Sequence, residues 1–345
     1  MPVTRLGAHT YGIEGVSLTS SAAVVGPKEG EGPLGSEFDQ VWNDDRHGEG
    51  TFEKAERALL VASQNLALQK AAWSWRSVDL VLGGDLLDQI VSTDFAARTH
   101  GRPLLGLFAA CAVFTEALGL AALLVAGQGF RRVMVSAVSH HFTAERQFRF
   151  PIELGTQRPP TAAWTATAAG TVLVTVEDGP LVVDSVTFGR VLDWAGKDPN
   201  DMGGAMAPAA IDTISRHLSD TGRSPSAYDA IYTGDLGNFG LQMAQVLAEQ
   251  QGLDLTPGLK DCGLALYDRK RQDVHNGGSG PGCAAAVFSG PLVRRLTSGR
   301  LQRILLVATG ALFSPTTYQQ GETIPCVAHA VSVRRFAREE RAVLS

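Results

Sequence analysis

The sequence carries DLVLGGDL at residues 79–86 and DAIYTGDL at residues 229–236. Each octapeptide begins with Asp, continues through mostly apolar residues and ends in Gly-Asp-Leu. A short apolar run that stops at a glycine is typical of a buried strand followed by a turn. The two copies therefore predict the same strand and turn at two places in one chain.

Two further pairs of matching segments follow in the same order. Cys111 and Cys283, each followed by Ala, open long apolar helical patterns. After each helix comes a similar strand, RVMVSA at 132–137 and RILLVA at 303–308. Chance could supply one such match, but three matches in one order favour duplication of an α/β unit.

Apolar, β-branched runs alternate with helical patterns along the chain, as a mostly parallel sheet requires. The predicted strands are 20–25, 78–82, 132–137, 182–188, 230–233 and 303–309. The predicted helices are 51–71, 93–100, 205–220, 241–251 and 282–297. We therefore predict an α/β protein in which residues 1–176 and 177–345 form two halves related by a pseudo-twofold axis.

The composition is that of a globular chain, with 44% hydrophobic and 19% charged residues among 345. A net charge of −5 and a pI near 5.9 provide no basic footprint, so we expect no nucleic-acid partner. The first residues lack the apolar stretch of a signal peptide, which predicts a cytoplasmic protein with reduced thiols. The four cysteines show no CxxC spacing, so neither a metal site nor a disulfide framework is expected.

Two segments allow more than one interpretation. Residues 104–127 carry one charge, Glu116, and are long enough to span a membrane. Pro103 and Gly106 instead favour a short buried strand before a helix that is apolar on nearly every face, which belongs between two sheets. Residues 26–50 contain six glycines and seven acidic residues, which predicts a solvated surface loop.

Two fused βαβαβαββ halves, with a cysteine at the start of the first central helix, resemble the thiolase and ketoacyl synthase superfamily. A finer resemblance, to the stage V sporulation protein AD family of spore-forming bacteria, covers nearly the whole chain. The matching motifs are GPKEGEGPLG (26–35), TFEKAE (51–56), GDLLDQI (84–90), FAARTHG (95–101), SHHFTAERQFRFPIELGTQRPPTAAWT (139–165) and HNGGSGPGCAA (275–285). This resemblance implies a five-layered αβαβα fold with a cap segment at about 139–165.

The resemblance places Cys111 at a tight strand-to-helix turn, where a helix N-terminus lowers a thiol pKa. Condensing enzymes of the superfamily pair such a cysteine with two histidines, or with a histidine and an asparagine. Here the corresponding turns read TGDLGN at 233–238 and GGSGPG at 277–282, and Ser279 takes the place of a histidine. The nearest histidine is His275. We therefore expect a pocket that binds a ligand without catalysis.

The family resemblance implies dipicolinic acid, pyridine-2,6-dicarboxylate, as that ligand. It also implies uptake of the acid into the developing spore and its release in germination, through a channel complex whose membrane subunits are the partners. The chain would then lie at the periphery of the spore inner membrane. Calcium is an optional companion of the ligand and no other cofactor is expected. A homodimer is allowed, because thiolase-fold proteins are commonly dimers.

Cys111, Asp85 and Ser279 are predicted to line one cavity, because ligands in α/β sheets collect outside the carboxyl ends of strands. Asp235 and His141 are further candidates. Each has a structural alternative: Cys111 as a small core residue, the two aspartates as helix caps, and His141 as a hydrogen-bonded loop residue. Two other functions also stay open, an acyl-transferring enzyme with His141 or His275 as base, and a structural subunit with a vestigial pocket.

Overall fold

The computed structural model describes residues 2–148, 157–255 and 258–336. Its strands are β1 (Val3–Arg5), β2 (Thr10–Ile13), β3 (Ser17–Val25), β4 (Gln40–Val41), β5 (Leu80–Gly84), β6 (Leu104–Gly106), β7 (Arg132–Ser139), β8 (Trp164–Thr165), β9 (Ala168–Thr175), β10 (Leu181–Phe188), β11 (Ala230–Thr233), β12 (Leu259–Asp261), β13 (Gly278–Ser279), β14 (Arg303–Ala311) and β15 (Cys326–Arg335). The predicted strands are confirmed to within a few residues at each end.

The α-helices are α1 (Pro27–Gly30), α2 (Phe52–Lys70), α3 (Val91–His100), α4 (Val113–Ala126), α5 (His141–Phe148), α6 (Met202–Thr221), α7 (Gly237–Gln250), α8 (Cys262–Leu266), α9 (Pro281–Val287), α10 (Val293–Thr297) and α11 (Pro315–Gln319). The predicted helix at 282–297 is interrupted, because a π-helical turn, Phe288–Leu292, separates α9 from α10. Pro291 lies in this turn and has no N–H to donate, so the regular ladder cannot continue through it.

The main sheet has the strand order β12-β11-β14-β15-β10-β3-β9-β7-β5-β6. In its first half β5 pairs in parallel with β6 and β7, and β9 joins β7 to β3 by antiparallel pairing. In its second half β11 pairs in parallel with β12 and β14, and β15 joins β14 to β10 in the same antiparallel way. The two halves of the sheet therefore have the same arrangement of parallel and antiparallel strands when each is followed from its outer edge to the junction of β10 and β3.

The duplicated octapeptides make the same contact at their first residue. Asp79 Oδ2 accepts a hydrogen bond from the backbone N–H of Arg132 at 3.0 Å, and Asp229 Oδ2 accepts one from Arg303 at 2.9 Å. In both cases the aspartate before a strand fixes the start of its parallel neighbour. The repeated residues thus occupy matching places in the sheet, while the exact boundary near residue 176 stays a prediction.

Helix α4 forms part of the central layer of the fold. It contacts β5, β7 and β9 on one side and β10, β14 and β15 on the other, while α2 and α6 cover the outer faces. Phe114 of α4 is fully buried and lies 5.8 Å, between ring centroids, from Phe288. Two covered faces explain why the segment is apolar all round. In the described ranges, no helix is both long and apolar enough to cross a membrane.

The prediction of a solvated loop at 26–50 is wrong for much of that segment. β4 pairs in parallel with β3, and Trp42 is buried and stacks on His47 with ring centroids 3.9 Å apart. Glu29 in α1 is also fully buried. The acidic composition hid these contacts, because Glu29 has hydrogen-bond donors inside the protein that the local sequence cannot reveal.

We expect Phe114→Ala to lower the free energy of unfolding by about 3–5 kcal/mol, because it leaves a cavity between the two sheets. Chemical denaturation followed by circular dichroism measures this change. Phe239→Ala is the matched control, since Phe239 is 39% exposed on α7, and its change should stay within about 0.5 kcal/mol. Equal effects of the two variants would contradict a buried central helix layer.

Candidate functional site

A strained turn presents Cys111 at the start of α4. Ala110 has a φ of +48°, a left-handed conformation that costs energy for a residue with a Cβ. The opposing strand leaves room for this turn at Gly310, where a Cβ would lie 2.0 Å from the carbonyl oxygen of Ala109. The close approach of β14 and the turn therefore fixes the direction of the Cys111 side chain.

Ser279 reaches the same place from the second half of the chain. It lies in β13, which pairs in parallel with β8, and its carbonyl oxygen accepts a hydrogen bond from the Ala166 N–H at 2.8 Å. Gly280 follows with a φ of +95° and turns the chain into α9. The Oγ of Ser279 lies 3.9 Å from the Sγ of Cys111.

Asp235 joins these residues through a buried carboxylate. Its Oδ2 accepts hydrogen bonds from Ser279 Oγ at 2.9 Å and from the Gly280 N–H at 3.0 Å, and its Oδ1 accepts one from Thr309 Oγ1 at 3.2 Å. Burial raises the pKa of Asp235 above its ordinary value, although these hydrogen bonds oppose the shift.

The thiol of Cys111 has a raised pKa, not the lowered one expected of a nucleophile at a helix start. Burial is the larger cause, and the negative charge of Asp235 adds to it. The geometry explains the disagreement, because Ser279 and Gly280 hold the buried carboxylate of Asp235 near the thiol, where its charge disfavours a thiolate. Cys111 is therefore held as a neutral thiol near pH 7.

A narrow pocket opens above these three residues. Its cavity volume, counted as the space open to the centre of a water molecule, is about 70 Å³. Phe108, Phe148 and Phe313 supply much of its apolar wall. The described residues that line it are Leu86, Phe108, Ala110, Cys111, Ala144, Glu145, Phe148, Thr161, Ala163, Thr165, Pro199, Asn200, Met202, Gly203, Asp235, Ser279, Ala311 and Phe313. This set contains two carboxylates but no histidine, lysine or arginine.

Asp85 does not join this cavity, so the prediction that it lines the pocket beside Cys111 is corrected. Its Oδ2 accepts hydrogen bonds from the Thr93 N–H at 2.8 Å and Thr93 Oγ1 at 2.7 Å, and its Oδ1 accepts one from the Leu87 N–H at 3.0 Å. These donors belong to the first turn of α3 and the loop before it. Asp85 is therefore the helix-capping residue of the structural alternative.

His141 also lies outside the pocket wall. It begins α5, and its ring stacks on Trp164 with centroids 3.5 Å apart and planes inclined by 1°. Its backbone N–H donates to Thr167 Oγ1 at 3.2 Å. His275 pairs with Asp273 and is likewise absent from the lining. Neither histidine is placed as a base for Cys111.

Several residues of the pocket could not be named from the sequence alone. Thr309 is not among the lining residues but donates to Asp235, and its place at the end of a predicted strand was the signal that the sequence offered. Glu145 lies in the long motif at 139–165, whose many polar residues do not mark it as part of a pocket. Asn200 belongs to the connection before α6 and carries no motif. The part of the cap segment at 149–156 lies outside the described residues.

Glu29 supports the wall that carries Ser279. Its Oε1 accepts a hydrogen bond from the Thr167 N–H at 3.0 Å and another from the Tyr267 hydroxyl. Thr167 follows Ala166, which holds the carbonyl of Ser279. Burial raises the pKa of Glu29 to about 7, so its carboxyl is protonated over much of the acidic range.

The fold, with a cysteine at the head of a central helix beneath a pocket, defines a thiolase-like protein. A 3-oxoacyl-[acyl-carrier-protein] synthase III from Aquifex aeolicus aligns with a TM-score of 0.58 and 13% identity, over 92% of this chain and 99% of that one. A variant of OleA from Xanthomonas campestris gives 0.60 and 13%, over 93% and 98%. At these identities the likeness concerns the fold alone.

The chain belongs to the stage V sporulation protein AD family. The profile of that family matches residues 8–334. The stage V sporulation protein AD of Bacillus subtilis strain 168 is 42% identical over 320 residues, which cover 93% of this chain and 94% of the relative. The expected membership and the thiolase-like fold are therefore confirmed.

Glu29 gives the wall of the site a dependence on pH. A carboxyl whose pKa rises on folding from its ordinary value of 4.5 to about 7 favours the folded state below pH 4.5, and this contribution is lost as the pH rises through 7. We expect Glu29→Gln, which keeps a neutral side chain, to remove about 2–3 kcal/mol of the decline in unfolding free energy between pH 4.5 and 8. Denaturation of both proteins across this range measures the difference.

Glu14→Gln is the control for that comparison, because Glu14 is an exposed residue in the turn between β2 and β3 and should leave the slope unchanged. Parallel stability curves for wild type and Glu29→Gln would contradict a buried, protonated Glu29.

Proposed function

We propose that this protein binds dipicolinic acid in the Cys111 pocket without chemistry. In this proposal it serves uptake of the acid into the developing spore and its release in germination, as the peripheral subunit of a membrane channel complex. Family membership supports the sporulation context. The observation that carries the binding function is the pocket above Cys111, Ser279 and Asp235, whose aromatic wall suits a small planar ring.

The absence of an activating group supports binding over catalysis. A cysteine nucleophile needs a base or a positive neighbour to form the thiolate. Cys111 instead faces Asp235 and Ser279, and the pKa of the thiol is raised. Among the described residues of the pocket wall, no histidine could move a proton or hold an oxyanion. Acyl transfer would therefore lose both of its usual sources of acceleration.

The charges of the pocket decide how a dicarboxylate can bind. Asp235 and Glu145 line the cavity, and two more carboxylates beside them would be repelled. Burial raises the pKa of Asp235, which favours its protonated form, so proton uptake is one solution. A calcium ion between the ligand and Asp235 is the other, since calcium prefers carboxylate oxygens. The proposal includes both routes.

The acyl-transferring alternative rests on one observation, the position of Cys111 in a fold shared with condensing enzymes. We rank acyl transfer below ligand binding, because the raised pKa keeps the Cys111 thiol protonated. Membrane subunits of the same complex, peripheral attachment to the spore inner membrane and a homodimer are parts of the proposal that follow from family membership.

Cys111→Met should lower the affinity for dipicolinate by at least ten-fold, because the longer side chain fills the floor of a cavity of about 70 Å³. Cys111→Ala is the matched control and should bind as wild type, since it removes the thiol without filling space. Isothermal titration calorimetry measures both, with thermal melts to verify folding. Absence of binding in the wild type would overturn the proposal, and an acyl adduct on Cys111 after incubation with acyl-CoA would favour the enzyme.

Asp235→Asn separates the two routes of charge compensation. In metal-free buffer above pH 7 we expect this variant to bind dipicolinate more tightly than wild type, by about ten-fold, because one like charge is removed. Added calcium should strengthen binding to the wild type and have less effect on the variant. Ser279, Gly280 and Thr309 can still bond the amide. Weaker binding of the variant in metal-free buffer would contradict direct repulsion.

A further inference from the structure

A second cavity lies where the two halves of the main sheet join, and it shares no residue with the Cys111 pocket. β3 and β10 pair there only through Leu181 with Leu18 and Val182 with Ser17. The cavity has a volume of about 520 Å³. The described residues that line it are Leu18, Thr19, Ser20, Ser21, Asp39, Lys70, Pro180, Leu181, Ser289, Val293, Arg294, Thr297 and Ser298. We call it the Lys70–Arg294 cavity.

Two cations and one carboxylate set the charge of this cavity. Lys70 Nζ and Arg294 Nη2 both contact the same oxygen of Asp39, at 3.1 and 2.7 Å. The other oxygen of Asp39 accepts the Ala23 N–H at 2.9 Å. The lining therefore carries one net positive charge. It also keeps unused donors, because the guanidinium of Arg294 has five N–H groups and the structure shows one hydrogen bond from it.

The π-helical turn forms part of the cavity wall. Its Ser289 is 1% exposed, and its backbone carbonyl oxygen accepts a hydrogen bond from Ser21 Oγ at 2.6 Å. Ser289 lies in the π-helical turn, and such turns occur frequently at functional sites.

The backbone of β3 is irregular at the same place. Leu18 pairs with Val174 and Ser20 with Leu173 in β9, so Thr19 between them has no partner in the ladder. This β-bulge directs Thr19 and Ser20 to the cavity wall, and bulges are enriched beside binding sites. A bulge and a π-helical turn thus lie beside two cations.

We propose that the Lys70–Arg294 cavity binds a phosphate-class oxyanion, either free or as a lipid headgroup. A tetrahedral oxyanion accepts hydrogen bonds in several directions, which matches an ammonium on α2 and a guanidinium fork on α10. The cations are 42% and 47% exposed, so the anion can enter from solvent. Asp39 holds the two cations side by side and would share them with the anion.

The test titrates inorganic phosphate into the wild-type protein at constant ionic strength, with chloride as the replacement anion. We expect saturable binding that Arg294→Gln weakens by about ten-fold or more. Asp39→Asn should tighten binding, because it removes the competing charge. Arg300→Gln is the matched control, an exposed arginine outside the cavity that loses the same charge and should change the affinity by less than about two-fold.

Two results would overturn the site: no saturable binding by the wild type, or equal losses in Arg294→Gln and Arg300→Gln when both melt like the wild type. Sedimentation with phosphatidylcholine vesicles that contain phosphatidic acid distinguishes the sources. Vesicle binding that Arg294→Gln abolishes supports a lipid headgroup, while solution binding without vesicle binding supports the free anion. Dipicolinate binding in the Cys111 pocket should be unchanged in Arg294→Gln, so failure here leaves the first proposal intact.

Discussion

The buried carboxylate of Asp235 is the interaction on which the site depends. It accepts hydrogen bonds from Ser279, Gly280 and Thr309, so it ties the ends of β11, β13 and β14 together beside the start of α4. A carboxylate removed from water must be satisfied by such donors or protonated. The same bonds position Ser279 against Cys111, and the charge of Asp235 adds to burial in raising the pKa of the thiol. The position of Ser279 and part of the rise in the thiol pKa therefore have one cause.

The duplicated aspartates show how one motif acquires two roles. Asp85 and Asp235 are the seventh residues of matching octapeptides, yet Asp85 caps the turn before α3 while Asp235 faces the pocket. In the second half Asp261 does the capping, because it accepts the N–H groups of Leu236 and Leu264. The partner available near each strand end, Thr93 in one half and Ser279 in the other, decides the direction of the side chain. Duplication of the octapeptide thus gives the two aspartates the same position at the end of a strand, but it does not determine what each side chain contacts.

Much of the fold could be predicted from the sequence, because periodicity and repetition report on the burial of strands and helices. The apolar segment with Cys111 was correctly placed between two sheets, where hydropathy alone favoured a membrane span. Cys111 and Ser279 were expected to meet, and they do. The orientation of Asp85 and the burial of Glu29 were not predictable, since both depend on donors far along the chain, such as Thr167. Local composition contains no record of such partners.

The pocket and the surrounding core both contain buried carboxyl groups whose pKa values are raised. Glu29, Asp85 and Asp261 are buried with pKa values raised to about 7, 6 and 6, and burial raises that of Asp235 as well. Folding therefore takes up protons near neutral pH, and a dianion that enters beside Asp235 would draw one more. A histidine in place of Ser279 could have carried a compensating positive charge. With a hydroxyl there instead, the charge of a dicarboxylate must be met by a proton or a cation that arrives with it.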